Sequence, residues 1–195
     1  YDDLNIRFQG VIRGGYELNS SLRTSWTTDR DQNQGEVKTF TTSLKNENEE
    51  WTLYDLFPKI SRYTLRNYRL RGLHLARAFG QEKLSAIWGK SPKNLRDSKY
   101  NRYVQGFRYR KDFEGEGLLA IGYVFTKDTG VTQSTDRLDN RVVEADGEWE
   151  FGNVDTTGEI ALSKTRISHG PWTGGVARRI EADYAEGPTA LQVTY

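Results

Sequence analysis

The lengths of the connections between candidate strands constrain the fold of this chain more than any other feature. Over about a dozen segments the side chains alternate between apolar and polar, which is the period of a β-strand. Short and long links alternate between the segments, which predicts an all-β, antiparallel up-and-down meander. The predicted strands are 3–13, 16–26, 36–45, 50–56, 63–79, 83–89, 101–113, 117–127, 140–151, 157–167, 174–185 and 189–195.

The short links all lie at one end of the predicted meander and the long links at the other. Transmembrane β-barrels have this asymmetry, because short turns lie on the periplasmic side and longer loops lie outside the cell. A sandwich built on Greek-key connections has no reason to keep one end uniformly short. The short links are 14–15, 46–49, 80–82, 114–116, 152–156 and 186–188, and the long links are 27–35, 57–62, 90–100, 128–139 and 168–173.

Composition excludes several classes of protein. Aromatic residues make up 12% of the chain, which is too many for a disordered segment. There is no cysteine, which excludes disulfides, zinc-thiolate sites and thiol nucleophiles. The 28 basic and 27 acidic residues leave a formal charge of +1, so no net field favours nucleic acid. No stretch approaches the roughly 18 apolar residues of a transmembrane helix, whereas a transmembrane strand needs only about 10 alternating ones.

The predicted strands separate charged from apolar side chains. On 140–151, Val143 and Trp149 alternate with four acidic residues, and on 101–113 Phe107 alternates with arginines. If the apolar faces meet lipid, the charged faces line a hydrated lumen. Opposite charges on these two strands predict a transverse field, with pairing across strands as the alternative. The predicted pore-lining residues are Arg7, Arg108, Arg110, Glu144, Asp146, Glu148, Glu150, Arg179, Glu181 and Asp183.

Aromatic residues gather near both ends of the predicted strands. Some lie beside the short links and others near the long ones, as expected for girdles at the two membrane interfaces. The alternative is that aromatic residues simply favour strands. The predicted interface aromatics are Trp26, Trp51, Phe79, Trp88, Phe113, Phe125, Phe151, Trp172 and Tyr184.

This combination resembles the bacterial outer-membrane β-barrel proteins, porins and export channels included. The resemblance rests on a pattern that covers most of the chain and not on a motif. The last residues, Leu191 to Tyr195, also look like the terminal strand of such proteins, with alternate apolar residues and a final aromatic. The resemblance implies a location in the outer membrane of a Gram-negative bacterium, with outer-membrane lipid around the barrel.

Counting the links predicts that the chain is one segment of a larger barrel. The first and last links are both short, so the free ends of the first and last strands would lie outside the cell. The complete barrels that this chain resembles keep both termini in the periplasm. We therefore expect residues 1–195 to form a single barrel segment internal to a longer chain.

The sequence does not indicate catalysis. His74 and His169 lie far apart and form no metal-binding motif. The pattern Gly115-x-Gly117-x-x-Ala120 has the form of a dinucleotide fingerprint, but that phosphate site needs a helix N-terminus and the residues after it are β-like. A hairpin turn is the better interpretation. We expect no enzyme activity, no metal and no cofactor.

Three functional hypotheses follow. The first is the wall of an outer-membrane channel that passes polar solutes or exported material through a charged lumen. The second is a scaffold barrel that holds partner proteins in its lumen or at its long loops. The third is a soluble carbohydrate-binding module, in which Trp88, Trp149 and Trp172 would stack on sugar rings. None of the three involves nucleic acid.

Overall fold

Twelve β-strands account for most of the described residues. The computed structural model describes residues 2–26, 36–61, 64, 68–91, 100–130, 137–186 and 189–194, and at 2, 25–26, 36–38, 100, 130, 185–186 and 189–194 it describes the backbone alone. The strands are β1 (Asp2–Ile12), β2 (Tyr16–Trp26), β3 (Glu36–Lys45), β4 (Glu49–Leu56), β5 (Leu70–Phe79), β6 (Glu82–Lys90), β7 (Tyr100–Phe113), β8 (Gly117–Gly130), β9 (Leu138–Phe151), β10 (Val154–Ile167), β11 (Thr173–Glu186) and β12 (Thr189–Thr194).

All the strands belong to one sheet, in which each pairs antiparallel with the next along the chain. β1 and β12 are the two edges of this sheet. The predicted up-and-down meander of about twelve strands is therefore confirmed, as one open antiparallel sheet. Within the described ranges, no helix is long and apolar enough to cross a bilayer.

The register divides the side chains of the sheet between two faces. Ile6 and the residues that pair with it in turn, from β1 across to β11, lie on one face, together with every second residue of each strand. The residues that alternate with them along the strands lie on the other face. The first is called the apolar face, and it exposes large side chains such as Phe107 and Val143. The second is called the polar face, and it buries Val104 and Glu144. A membrane barrel that presents apolar residues to lipid has this arrangement.

The short links use glycine and asparagine where the chain must reverse tightly. Gly80, Gly115 and Gly152 have φ angles of 61°, 70° and 63°, in the left-handed region that glycine adopts without a steric cost. Asn46 accepts hydrogen bonds from the backbone N–H groups of Asn48 at 2.9 Å and Glu49 at 2.7 Å. Because Gly115 lies in the turn between β7 and β8, the hairpin interpretation of the glycine motif is confirmed.

The main departure from the predicted strands is at the link between β4 and β5. The sequence predicts a strand over 63–79, but β5 begins at Leu70, and the described residues 64, 68 and 69 are not part of it. Residues 62–63 and 65–67 lie outside the described part of the chain. The side chain of Arg69 bonds to Asp55 at the end of β4, which turns the chain into β5 only at this point. A smaller difference lies between β8 and β9, where the strands extend into the predicted long link 128–139.

Candidate functional site

The link between β4 and β5 folds onto the polar face. Ile60 is 5% exposed, and its Cδ1 atom lies only 2.4 Å from the position that a Cβ atom on Gly106 of β7 would occupy. The hydroxyl of Ser61 donates a hydrogen bond to Glu144 on β9, 83 positions away in the sequence. Residues 57–61, called the inward segment, therefore reach from the end of β4 to strands in the middle of the sheet.

An apolar cluster holds the inward segment in place. Its residues come from the link and from five consecutive strands, and each is at most 5% exposed. Burying one such side chain away from water stabilises the folded state by about 1.5–3 kcal/mol. The segment is therefore packed against the wall of the sheet and not only hydrogen-bonded to it. The cluster consists of Leu56, Ile60, Leu70, Ile87, Val104 and Val124, with Tyr68 packed against it.

Asp55 ties together the two ends of the link. Its carboxylate accepts hydrogen bonds from Nε and Nη2 of Arg69 at 3.1 and 3.0 Å, and from Nε of Arg71 at 3.1 Å. The backbone N–H of Phe40 on β3 donates a further bond at 2.7 Å. Asp55 is 2% exposed, and a buried carboxylate persists only with such donors around it. The link consequently leaves and re-enters the sheet at one fixed point.

A second set of buried charges lies beneath the inward segment. Arg108 on β7 reaches across β8 and donates to both oxygens of Asp146 at 2.7 and 2.6 Å, and to Glu144 at 3.0 Å. The Glu144 side chain is fully buried and that of Arg108 is 18% exposed. With the hydroxyl of Ser61, these three side chains form what we call the carboxylate centre, in which one positive charge faces two negative ones.

Two glycines make room for these contacts. Gly122 on β8 lies between Arg108 and Glu144 in the register, and a Cβ atom there would lie 2.3 Å from Oε1 of Glu144. Gly106 leaves the corresponding space for Ile60. The recess in the polar face therefore exists because neither position carries a side chain.

A polar cavity of about 380 Å³ lies between the inward segment and strands β9 to β11. At about 30 Å³ for each molecule in liquid water, it has room for roughly ten waters or a small polar solute. Among the described residues, no three His, Asp or Glu side chains group as metal ligands do. The charged side chains that line the cavity have both signs: Lys59, Arg108, Arg179, Asp146, Glu148, Glu159 and Glu181.

The register places all ten predicted pore-lining residues on the polar face, in different surroundings. That this face lines a pore stays a prediction. Arg108, Glu144 and Asp146 belong to the carboxylate centre, Glu148, Arg179 and Glu181 line the cavity, and Arg7, Arg110, Glu150 and Asp183 lie outside both.

The predicted opposition of a basic and an acidic strand is largely neutralised by pairing. Arg108 joins the two strands directly. Arg110 pairs with Asp112 on its own strand at 2.7 Å, and Arg179 pairs with Glu181. For Arg108 the structure shows the pairing across strands that the sequence left open, because Gly122 on β8 lies between the charges and lets the side chains meet. The pairs of Arg110 and Arg179 each lie within one strand.

The predicted interface aromatics lie on the apolar face wherever their side chains are described. Trp172 precedes β11, and its ring contacts Arg141 and Arg166 on that face. Trp26 ends β2, but its side chain lies outside the described part of the chain. A role at the membrane interface stays a prediction for all nine. The others placed on this face by the register are Trp51, Phe79, Trp88, Phe113, Phe125, Phe151 and Tyr184.

Sequence reasoning missed the inward segment and everything beneath it. Residues 57–62 were predicted only as a long polar link, although the apolar Ile60 within it and the glycines at 106 and 122 were visible signals. A glycine at a face position of a strand often marks a close approach by another part of the chain. The glycines therefore signal a close approach to β7 and β8, but they do not identify Lys59, Ile60, Ser61 and Asp55 as the residues of the site.

Comparisons with known proteins identify the fold. No protein-family model matches the chain, and no curated protein sequence matches it. The solved structure of in-vitro folded OmpT, an outer membrane protein of Vibrio cholerae in its trimer form, has a TM-score of 0.52 and 8% identity over 95% of this chain and 76% of that chain. OmpTdeltaL8, a loop L8 deletion mutant of OmpT, has a TM-score of 0.51 and 9% identity over 93% of this chain and 79% of that chain.

These likenesses, together with the exposed apolar face, show that the chain has the fold of bacterial outer-membrane β-barrel proteins. They also support the predicted location in the bacterial outer membrane.

Proposed function

We propose that this outer-membrane β-barrel chain forms the wall of a channel for small polar solutes, and that the inward segment narrows its lumen. The observation that carries the proposal is the packing of residues 57–61 onto the polar face, with a cavity of about 380 Å³ beside them. A wall that only closed a barrel would need neither a segment folded inward nor recesses to receive it.

The lining of the cavity supports polar solutes of mixed charge. Three basic and four acidic side chains surround it, so an ion of either sign meets attractive groups, whereas an apolar solute gains nothing there. Because Arg108 and Arg179 are paired with carboxylates, they add little net field. Lys59 has no ion-pair partner among the described residues and lines the cavity from the inward segment. We infer that Lys59 has the largest single influence on ion preference.

Conductance in planar bilayers tests this proposal with the full-length protein. In a KCl gradient, Lys59→Gln is expected to move the reversal potential toward cation preference, because one fixed positive charge leaves the path. Lys111→Gln is the matched control, since it also removes one lysine but lies on the apolar face, 3.8 Å from Glu82.

Two outcomes would contradict the channel. A correctly folded barrel that conducts no ions would favour the scaffold hypothesis, in which the lumen holds a partner protein. A shift in reversal potential that is equal for Lys59→Gln and Lys111→Gln would show that the inward segment does not lie on the ion path.

The soluble carbohydrate-binding alternative has less support. Trp88 and Trp149 lie on the apolar face of β6 and β9, and Trp172 stacks on arginines at the long-link end. Trp88 and Trp172 lie towards the long links and Trp149 beside a short link, so the three rings do not line one sugar groove. A full-length protein that stays monodisperse in buffer without detergent would revive this alternative. No catalytic role forms part of the proposal.

A further inference from the structure

The apolar face of strands β6 to β10 changes character with height. Near the long links, register partners form a mostly charged upper row, then a second row that mixes charged and aromatic residues, then a third row that is apolar or aromatic. The upper row is Lys90, Tyr103, Lys127, Asp139 and Arg166, the second row is Trp88, Gln105, Phe125, Arg141 and Lys164, and the third row is Ala86, Phe107, Tyr123, Val143 and Leu162.

The two higher rows carry an excess of positive charge. They contain five basic residues against one acidic residue, Asp139. Arg166 donates to Asp139 at 2.8 Å, and Arg137, which precedes β9, donates to it at 3.2 Å. One carboxylate is thus shared by two arginines, and Arg141 has no ion-pair partner among the described residues. These cations therefore attract anions at the membrane surface.

Trp172 orders two of these cations. Its ring centroid lies 4.9 Å from Cζ of Arg141 and 4.8 Å from Cζ of Arg166. Stacking uses the flat faces of the guanidinium groups and leaves the edge N–H groups of Arg141 to donate. Arg166, on the other side of the ring, already donates to Asp139. Two neighbouring donor groups are therefore held in fixed positions.

The other end of the same face has no such excess. Near the short links, β8, β9 and β10 present Leu119, Trp149 and Thr156 on the apolar face, without charge. In transmembrane barrels the short turns are periplasmic and the long loops extracellular. The positive rows therefore belong at the outer leaflet, and the third row, with Val143 49% and Leu162 52% exposed, lies at the depth of the acyl chains.

We propose that the upper and second rows bind the phosphate groups of an anionic lipid in the outer leaflet, whose acyl chains lie against the third row. Phosphate oxygens accept the paired N–H donors of guanidinium groups, and charge-assisted bonds of this kind are the strong ones. The apolar row gives the acyl chains a surface that free phosphate could not use. The inference requires the membrane fold but is independent of the channel.

Native mass spectrometry of the full-length protein in detergent tests the inference, with a diphosphorylated diglucosamine lipid as the probe. The double variant Arg141→Gln/Lys164→Gln is expected to weaken lipid binding by about tenfold or more, since each basic residue near the surface adds to the attraction. Lys111→Gln, on the same face at the short-link end, should bind as the unmodified protein does. The dephosphorylated lipid should bind the unmodified protein as weakly as the phosphorylated lipid binds the double variant.

Three results would overturn the inference. An equal loss of lipid binding in Arg141→Gln/Lys164→Gln and in Lys111→Gln would show that the upper and second rows are not the lipid site. Displacement of the lipid by inorganic phosphate at the same concentration would make the acyl chains irrelevant. A changed oligomeric state of the double variant in lipid-free detergent would assign the rows to contact with a second copy. If the double variant does not fold, Lys90→Gln/Lys127→Gln tests the upper row in the same way, and its free energy of unfolding in lipid-free detergent should equal that of the unmodified protein.

Discussion

The polar face contains two ion pairs of the same chemical type in opposite surroundings. On β1 and β2, Asp3 and Arg23 meet at 3.3 Å with side chains 55% and 58% exposed. On β7 and β9, Arg108 and Glu144 meet at 3.0 Å with side chains 18% and 0% exposed. Both pairs point to the same side of one sheet, so the register does not explain the difference.

The inward segment is the cause of this difference. It covers β7 to β9, where Gly106 and Gly122 leave room beneath it, and it supplies the hydroxyl that Glu144 accepts. The described side chains of β1 and β2 have no such cover. An exposed pair contributes little because water screens it, whereas a covered pair becomes costly to break because the remaining charge is stranded. The same alternation of polar residues therefore gives exposed, solvated ion pairs on β1 and β2 and buried, structurally important ion pairs on β7 to β9.

The largest expected effect is the removal of the covered arginine. Arg108→Met should destabilise the folded barrel by about 3–5 kcal/mol, because Glu144 and Asp146 would stay buried without their cation. The matched change Arg23→Met should cost less than about 1 kcal/mol. Urea unfolding of the protein in lipid vesicles measures both. Equal costs would show that cover by the inward segment does not set the strength of these pairs.

An intermediate effect is expected from filling the recess. Gly106→Val should cost about 1–3 kcal/mol, since the new side chain would overlap Ile60 and displace the inward segment. Gly174→Val on β11 is the control, because a Cβ atom there meets only the backbone oxygen of Ser163, at an ordinary 3.6 Å, and the backbone is not left-handed. Unfolding free energies in vesicles and single-channel conductance should change together for Gly106→Val only. Unchanged conductance in a destabilised variant would separate the packing of the segment from the solute path.

The smallest effect on stability is expected on the part of the polar face that the inward segment does not cover. Glu148 and Glu150 lie on the strand and face of Glu144 but are exposed. Glu148→Lys/Glu150→Lys should alter the free energy of unfolding by no more than about 0.5 kcal/mol, while ion selectivity moves toward anions. Leu162→Lys on the apolar face, as a control, should cost up to about 2–4 kcal/mol if it lies near the bilayer midplane. Failure of the double variant to fold would overturn the assignment of the faces.

The strands and their faces could be predicted because their causes are local. Alternation along β9 and glycines at turns such as 80, 115 and 152 specify which residues pair and which side they take. Once the order of strands follows the order of the chain, a residue such as Arg179 is assigned to a face by counting. The aromatic positions follow in the same way.

The candidate site could not be predicted because it depends on contacts between distant positions. Ser61 and Glu144 are 83 residues apart, and no spacing rule connects a link to a strand five strands later in the chain. The acidic face of β9 was interpreted as uniformly solvated, yet Glu144 is buried and Glu148 is exposed. The strand predicted over 63–79 begins only at Leu70, and Arg69 before it is held by a side-chain contact to Asp55. Residues 62–63 and 65–67 lie outside the described part of the chain.

The carboxylate of Asp55 makes the link between β4 and β5 an exchangeable part. Since Arg69 and Arg71 bind Asp55, the end of β4 and the start of β5 are joined at one point, and the link between them closes a ring. Lengthening such a ring is inexpensive, because each doubling costs only about 0.6 kcal/mol of closure entropy. Related chains could thus acquire longer or shorter links, and so differently sized passages, without any change in the strands that carry them.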